Sequence, residues 1–286
     1  MKNINIIMGT SLRIPFLHEL FISTYHYLIE NNYNCTYLHS STQVNSSLQD
    51  LCIGIFNLVS LRNMPKNYIM YSIEPYENLN EEYITKIKNA KYVLQICDKN
   101  RFPEMYQFNS NTISYPMSYH PCLTNLYQVP DLKQDIDILF YGTLNQRRRD
   151  IIMEIEKAGI NIYCPNLTNK VGCFGKEKDI LIKRSKIILL TNYFENSCDT
   201  IRCIYLMSNK KMIISDDYGG ADYLKTEFNN LFPVVSTNDL VFTIKYYLEN
   251  DNECEQIANS CYDYVVKNKN INSHGNKLTD IIDEIN

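Results

Sequence analysis

The chain has 286 residues, 45% apolar and 12% aromatic, with 23 Tyr and no Trp, enough to fill the cores of two domains of ordinary size. A formal net charge of −4 at pH 7 argues against a broad non-specific nucleic-acid surface. Residues 141–211 nevertheless hold 13 Lys/Arg against 7 Asp/Glu, a local excess of six positive charges that suits a site for a small anionic ligand.

In chain order, Ile4 to Met8 predicts a short strand closed by Gly9-Thr10. Pro15 to Glu30 carries helical apolar spacing, and Cys35 to Leu38 returns as a strand. Leu51 to Phe56, Tyr68 to Ile73 and Tyr92 to Ile96 predict further strands, with a helix over Glu81 to Asn89. Short apolar strands alternating with helices indicate an α/β half with a parallel sheet. In YSIEPYEN, 71–78, Glu74 stands just past a strand end and before Pro75. A carboxylate there suits a general base for a hydroxyl acceptor, and equally a turn or capping acid. Residues 116–135 lack periodicity, contain Pro116, Pro121 and Pro130, and read as an interdomain connection.

The second half repeats the pattern. Strands are predicted at 136–141, 160–163, 186–191, 211–215 and 231–235, helices near 146–158, 177–185 and 199–208, and a mostly helical tail from about Asp239. Two doubly wound halves place ligands beyond the carboxyl ends of their strands. The loop in DILFYGTLNQRRRD, 137–150, is the most informative. Gly142 and Thr143 end a strand, Asn145 is a helix N-cap, and Arg147, Arg148 and Arg149 crowd the first helical turn. Cations are unfavourable at that positive end of the helix dipole unless an anion is expected there. The bland alternative is a solvated basic turn. A second cation of this kind, Arg202, follows the strand ending at Thr191, whose exit loop holds Tyr193 and Glu195. Ser197 or Asp199 can cap that helix, and the plain role of Arg202 would be an i,i+3 ion pair with Asp199. Ser215 ends the next strand, and Asp216 and Asp217, which follow it, suit sugar or ribose hydroxyls, or equally cap the segment beginning at Gly219-Gly220.

Other features carry less chemistry. The run Lys176, Lys178, Lys183, Arg184, Lys186 reads as a solvated face. Ten Cys without CxxC pairs or Cys/His ligand spacing predict buried free thiols. Asp135-Ile136-Asp137 precedes its strand, so no metal site is expected. There is no apolar run of membrane-spanning length and no secretory leader pattern, which sets the expectation of a cytoplasmic protein (host cytoplasm if viral).

DILFYGTLNQRRRDIIMEIEKAGI, GKEKDILIKRSKIILLTNYFEN and TIRCIYLMSNKKMIISDD resemble GT-B-fold glycosyltransferases of the group-1-like, CgeB-like family found in bacteria and large DNA viruses. NYIMYSIEPYENLNEEYITKIKNAKYVLQICDKN resembles that family's acidic strand-end motif, and ISYPMSYHP, 113–121, its hinge-proximal motif. A remoter resemblance links the chain to phage DNA β-glucosyltransferases. These resemblances imply two Rossmann-like domains facing a central cleft. Residues 1–131 would bind the acceptor and 132–286 the nucleotide sugar, with the last helix free to cross back to the N-terminal domain. They imply metal-independent transfer from a nucleotide diphosphate sugar, a UDP- or GDP-sugar foremost, to a hydroxyl on a glycan, protein or small molecule, with no further cofactor. Gly142, Thr143, Arg147, Arg149 and Arg202 would face the diphosphate. Tyr193, Glu195, Asp199, Tyr205, Ser215 and Asp216 would line the nucleotide and sugar, Glu74 would be the base, and Gly9, Thr10, Tyr119 and His120 would border the acceptor. Tyr205 stands where the phage enzymes carry a ribose-binding Glu. Two alternatives are a catalytically silent fold that binds a nucleotide or phosphorylated ligand, and a glucosyltransferase acting on modified DNA bases. Nucleic acid is not the expected partner.

Overall fold

Runs rich in Ile, Leu, Val and Tyr form the strands, because β-branched and aromatic side chains pack well on a pleated surface covered on both faces. The computed structural model describes residues 3–7, 17–38, 43–57, 59–73, 79–96, 105–124, 129, 130, 132–168, 173–193, 199–219 and 221–285. Gly9, Thr10, Glu74 and Glu195 lie outside the described residues.

The chain divides into two units, Met1–Cys122 with Lys269–Asn286, and Leu123–Asn268. The first contains β1 (Asn3–Ile7), α1 (His18–Glu30), β2 (Asn34–Leu38), β3 (Leu51–Gly54), β4 (Tyr68–Ser72), α2 (Glu81–Asn89), β5 (Tyr92–Gln95), α3 (Met105–Phe108) and β6 (Thr112–Ser114). Its six strands are parallel in the order β2-β1-β3-β4-β5-β6. Cys52, Phe56, Tyr68, Met70, Tyr83, Ile87 and Val93 form a core on one face of this sheet. β6 and α3 escape the sequence reading because each spans a single short turn or pleat, too brief for periodicity to register.

The second unit runs β7 (Ile136–Leu139), α4 (Gln146–Lys157), β8 (Ile162–Tyr163), α5 (Pro165–Thr168), α6 (Gly175–Arg184), β9 (Ser185–Leu190), α7 (Thr200–Ser208), β10 (Met212–Asp216), α8 (Ala221–Glu227), β11 (Val234–Val235), α9 (Leu240–Leu248) and α10 (Asp251–Asn268). The sheet order is β11-β10-β9-β7-β8, again parallel. Ile138, Phe140, Ile151, Ile155, Ile187, Leu189 and Ile214 meet in its core. The chain winds from β7 one way to β8 and the other way to β9. The crevice of this sheet therefore opens beyond the ends of β7 and β9.

The last helix, α11 (Asn272–Ile285), belongs to the first unit. The Tyr119 N–H donates to the Lys269 carbonyl and the Ile271 N–H to the Tyr119 carbonyl, 2.6 and 2.8 Å. Beyond this seam Gly275 lies flat against the Tyr27 ring of α1, whose hydroxyl donates to Asn276 Oδ1 at 3.1 Å.

Candidate functional site

Three loops of the second unit meet at the crevice, those after β7, β9 and β10. Each contributes backbone carbonyls, and each is held by an arginine of the β7–α4 turn or of α7. The turn itself depends on Gly142. Its φ of +151° is a conformation that side chains strain to adopt. A Cβ on it would sit 3.4 Å from Arg202 Nη2 and 3.6 Å from Arg148 Nη1. Two guanidinium groups thus close on the face of one glycine. Asn145 caps α4, its side-chain oxygen accepting from the Arg148 N–H at 3.0 Å, and Asp199 caps α7 by accepting from the Arg202 N–H at 3.2 Å.

Two of the three arginines of the site pair with carboxylates, Arg147 and Arg202. Arg147 reaches across to β10 and pairs with Asp216 at 2.5 Å. It also donates to Thr191 Oγ1 at 2.8 Å and to the Asn192 carbonyl at 2.9 Å, and lies 3.8 Å over the Tyr218 ring. Arg202 pairs with Asp199 at 3.0 Å and lies over the Tyr141 ring. Arg148 is only 4% exposed. It donates to the Thr143 carbonyl at 2.6 Å and to the Thr191 carbonyl, and stacks against Phe140 and Tyr193. Its acceptors are neutral, and among the described residues no carboxylate forms an ion pair with it. Burial, followed by the repulsion of Arg202, lowers its pKa to about 10. A buried cation whose acceptors are neutral dipoles, beside two further cations, is an electrostatic arrangement that an anion completes.

The remaining expected residues fall in several places. Asp216 is buried beneath Arg147, and burial raises its pKa while the Arg147 bond opposes the rise. It serves as the arginine's counter-ion, where the sequence suggested a contact to sugar hydroxyls. Ser215 is buried and donates to the Asp216 carbonyl at 3.0 Å. Thr143 is exposed. Tyr193 is on the rim, its carbonyl accepting from Asn145 Nδ2 at 3.2 Å. Tyr205 is buried, and its hydroxyl donates to Asp179 while Lys178 Nζ lies 4.2 Å over its ring. Lys178 is therefore an interior residue and not part of a solvated face. Arg149 is exposed on α4, outside this cluster. Tyr119 and His120 are buried in the first unit. Tyr119 forms the seam with Lys269 and Ile271, and His120 bonds Glu30 at 3.2 Å and accepts from the Cys122 N–H at 3.1 Å.

Sequence reasoning passed over Arg148 in favour of Arg149, although the helix phase distinguishes them. Residue 148 precedes Ile151 and Ile152 by three and four positions and shares their buried face, whereas 149 precedes the exposed Met153 by four. Asn166, which donates to the Gly142 carbonyl at 2.5 Å, carried no such signal because its role depends on the return of the chain through β8.

No protein-family model and no curated protein matches the sequence. Solved structures do share its fold. An α-glucosyltransferase in complex with UDP and a 13-mer DNA superposes with a TM-score of 0.66 at 9% identity, covering 99% of this chain and 100% of that one. WaaG, a glycosyltransferase involved in lipopolysaccharide biosynthesis, gives 0.59 at 11% identity over 98% and 99% of the two chains. TarM gives 0.56 at 12% identity over 92% of this chain, which spans 58% of TarM's length. These are GT-B glycosyltransferases, and this chain has their α/β fold of two parallel sheets. Among the described residues no helix is long and apolar enough to cross a membrane.

Proposed function

We propose that this protein is a glycosyltransferase that moves a sugar from a nucleotide diphosphate sugar, a UDP- or GDP-sugar, to a hydroxyl acceptor. The observation that carries the reading is Arg148, a buried cation whose acceptors among the described residues are all neutral, set against Gly142 beside Arg202 at the crevice of a doubly wound sheet. As the glycosidic bond breaks, negative charge grows on the departing diphosphate. Preoriented guanidinium groups and the backbone N–H groups of the turn would stabilise that charge where it develops. In this reading arginines carry the charge that a divalent cation carries elsewhere, Glu74 takes the proton of the acceptor hydroxyl, and the reaction runs in the cytoplasm. The fold it shares with glycosyltransferases, one of them solved with UDP, supports the donor class.

The test is a thermal-shift series with UDP, GDP, CDP, TDP and their common sugars on the wild type and on Arg202→Ala, followed by donor hydrolysis and transfer assays. A ligand present at a hundred times its Kd should stabilise the fold by about 2.7 kcal/mol. One nucleotide family should shift the wild type and not the variant. If no nucleotide shifts a folded wild type, the reading is overturned. Binding without turnover of any donor would establish the silent fold in its place.

A further inference from the structure

A polar row closes the carboxyl edge of the first unit's sheet. Ser72 on β4 pairs in register with Gln95 on β5, and Gln95 with Ser114 on β6. Register partners on adjacent strands point to the same face, so the three side chains stand in line. Two residues earlier the same face is Met70 and Val93, packed into the core with Tyr83 and Ile87. The row is thus where an apolar face turns polar at its end. The Tyr83 hydroxyl approaches Ser72 Oγ to 3.4 Å and extends it.

Gln95 makes the row more than a boundary. It is 2% exposed, and its Oε1 is buried without a hydrogen-bond partner among the described residues. A buried amide oxygen left unsatisfied costs free energy, and an apolar residue on this face would avoid the cost. The cost is recovered if a bound group donates to it. Ser72, Tyr83, Gln95 and Ser114 are all uncharged, so the row suits a neutral ligand and not the anion of the second unit. A hydroxyl both donates and accepts, and so it satisfies an amide in either orientation as well as the serine hydroxyls.

We propose that Ser72, Gln95 and Ser114 form a sugar-binding row that orients the hydroxyls of a neutral glycoside. Its identification as the acceptor rests on the glycosyltransferase reading above. Gln95 is the specificity-determining residue, because its oxygen is the acceptor left open.

The experiment is saturation-transfer NMR on the full chain without nucleotide. The probes are methyl α-glucoside, methyl α-galactoside, methyl N-acetyl-α-glucosaminide and glycerol. They are applied to the wild type, Gln95→Leu and Gln95→Met, with melting temperature and UDP-induced shift read on the same samples. At least one glycoside should bind the wild type and bind both variants tenfold or more weakly, while the variants melt no lower than the wild type. Equal binding by the variants, no binding of any probe by the wild type, or a lowered melting temperature in both variants overturns the row. A UDP shift without glycoside binding overturns this inference alone. Glycoside binding without any nucleotide shift overturns the donor reading and leaves the row as a sugar site.

Discussion

Arg147 and Asp216, 69 residues apart, form a 2.5 Å ion pair that ties the β7–α4 turn to the end of β10. The carboxylate is fully buried, whereas the guanidinium keeps about a quarter of its surface. Removing the arginine therefore costs more than its own lost contacts, because it leaves a buried carboxylate without its ion-pair partner. Arg147→Met is expected to lower the unfolding free energy at neutral pH by about 3 kcal/mol, read by urea titration. The pH dependence has a definite sign. Burial already raises the pKa of Asp216, and loss of the opposing arginine raises it further. Between the ordinary carboxylate value and that raised value the folded state holds the proton more tightly, so stability falls as pH rises. The deficit of Arg147→Met should shrink on acidification toward pH 5, and a deficit independent of pH would remove Asp216 from the account.

Arg148 and Arg149 are neighbours in sequence with opposite surroundings, one 4% exposed against Gly142 and the other on the outer side of α4. Arg149→Ala should keep the full nucleotide-induced shift and change stability by less than about 0.5 kcal/mol. Arg148→Lys keeps a positive charge but cannot reach the Thr143 and Thr191 carbonyls as a fork. It should lose at least tenfold in nucleotide affinity by titration calorimetry. Equal loss in both variants would mean that net charge, not placement, binds the anion.

Gly142 combines a backbone demand with a close approach. Gly142→Ala must hold a side chain at φ +151° and seat its Cβ 3.4 Å from Arg202 Nη2. The expected cost is about 1–3 kcal/mol of stability, with the nucleotide shift strongly reduced as Arg202 is displaced. A stable variant with wild-type nucleotide affinity would separate the glycine from the site.

Much of this architecture was legible locally. The helix at Glu81–Asn89 is read from the sequence with the bounds that the structure gives it, and the structure adds its cap, Asn80, whose side chain accepts from the Tyr83 N–H. The cap Asn145 is legible because a cap is a local hydrogen bond, whereas for α7 the sequence offers Ser197 or Asp199 and the structure has Asp199 as the cap. The arginine cluster was legible as a violation of helix electrostatics. What was not legible depends on the return of distant chain. Asp216 looks like a free strand-end carboxylate until β10 is placed beside β9, and then it is the counter-ion of Arg147. Lys178 looks solvated until α7 brings Tyr205 beneath it. Tyr119 looks like a cleft residue until the C-terminal segment pairs with it, and His120 does until α1 brings Glu30 to it.

Gly275 offers a test of that docked helix. A Cβ there would lie 2.2 Å from Tyr27 Cζ, and Tyr27 is itself buried and hydrogen-bonded to Asn276. Neither α11 nor the ring can yield without opening the seam between α1 and α11. Gly275→Ala should therefore destabilise by about 1–3 kcal/mol, even though alanine favours helix more than glycine does. Tyr27→Ala/Gly275→Ala should recover part of the alanine's cost relative to Tyr27→Ala alone, a coupling that a double-mutant cycle reads. Strict additivity of the two substitutions would sink the contact as the cause.

Lys211 lies just before β10, at the end of that strand opposite the candidate anion site. It is nearly buried, donates to the Ser185 carbonyl at 2.9 Å, and has the positive Lys183 nearby. Burial first, and that repulsion second, lowers its pKa from 10.5 to about 8. Between those values the unfolded chain binds the proton more tightly than the folded one, so this lysine adds stability as pH rises from about 8 toward 10.5. Several buried tyrosines and cysteines have raised pKa values and act in the opposite sense at higher pH, so the informative quantity is a difference. The stability of the wild type minus that of Lys211→Met should grow by on the order of 2 kcal/mol between pH 7.5 and 9.5. Urea unfolding at the two pH values measures it. A difference that stays flat would mean that Lys211 holds its proton across the whole range.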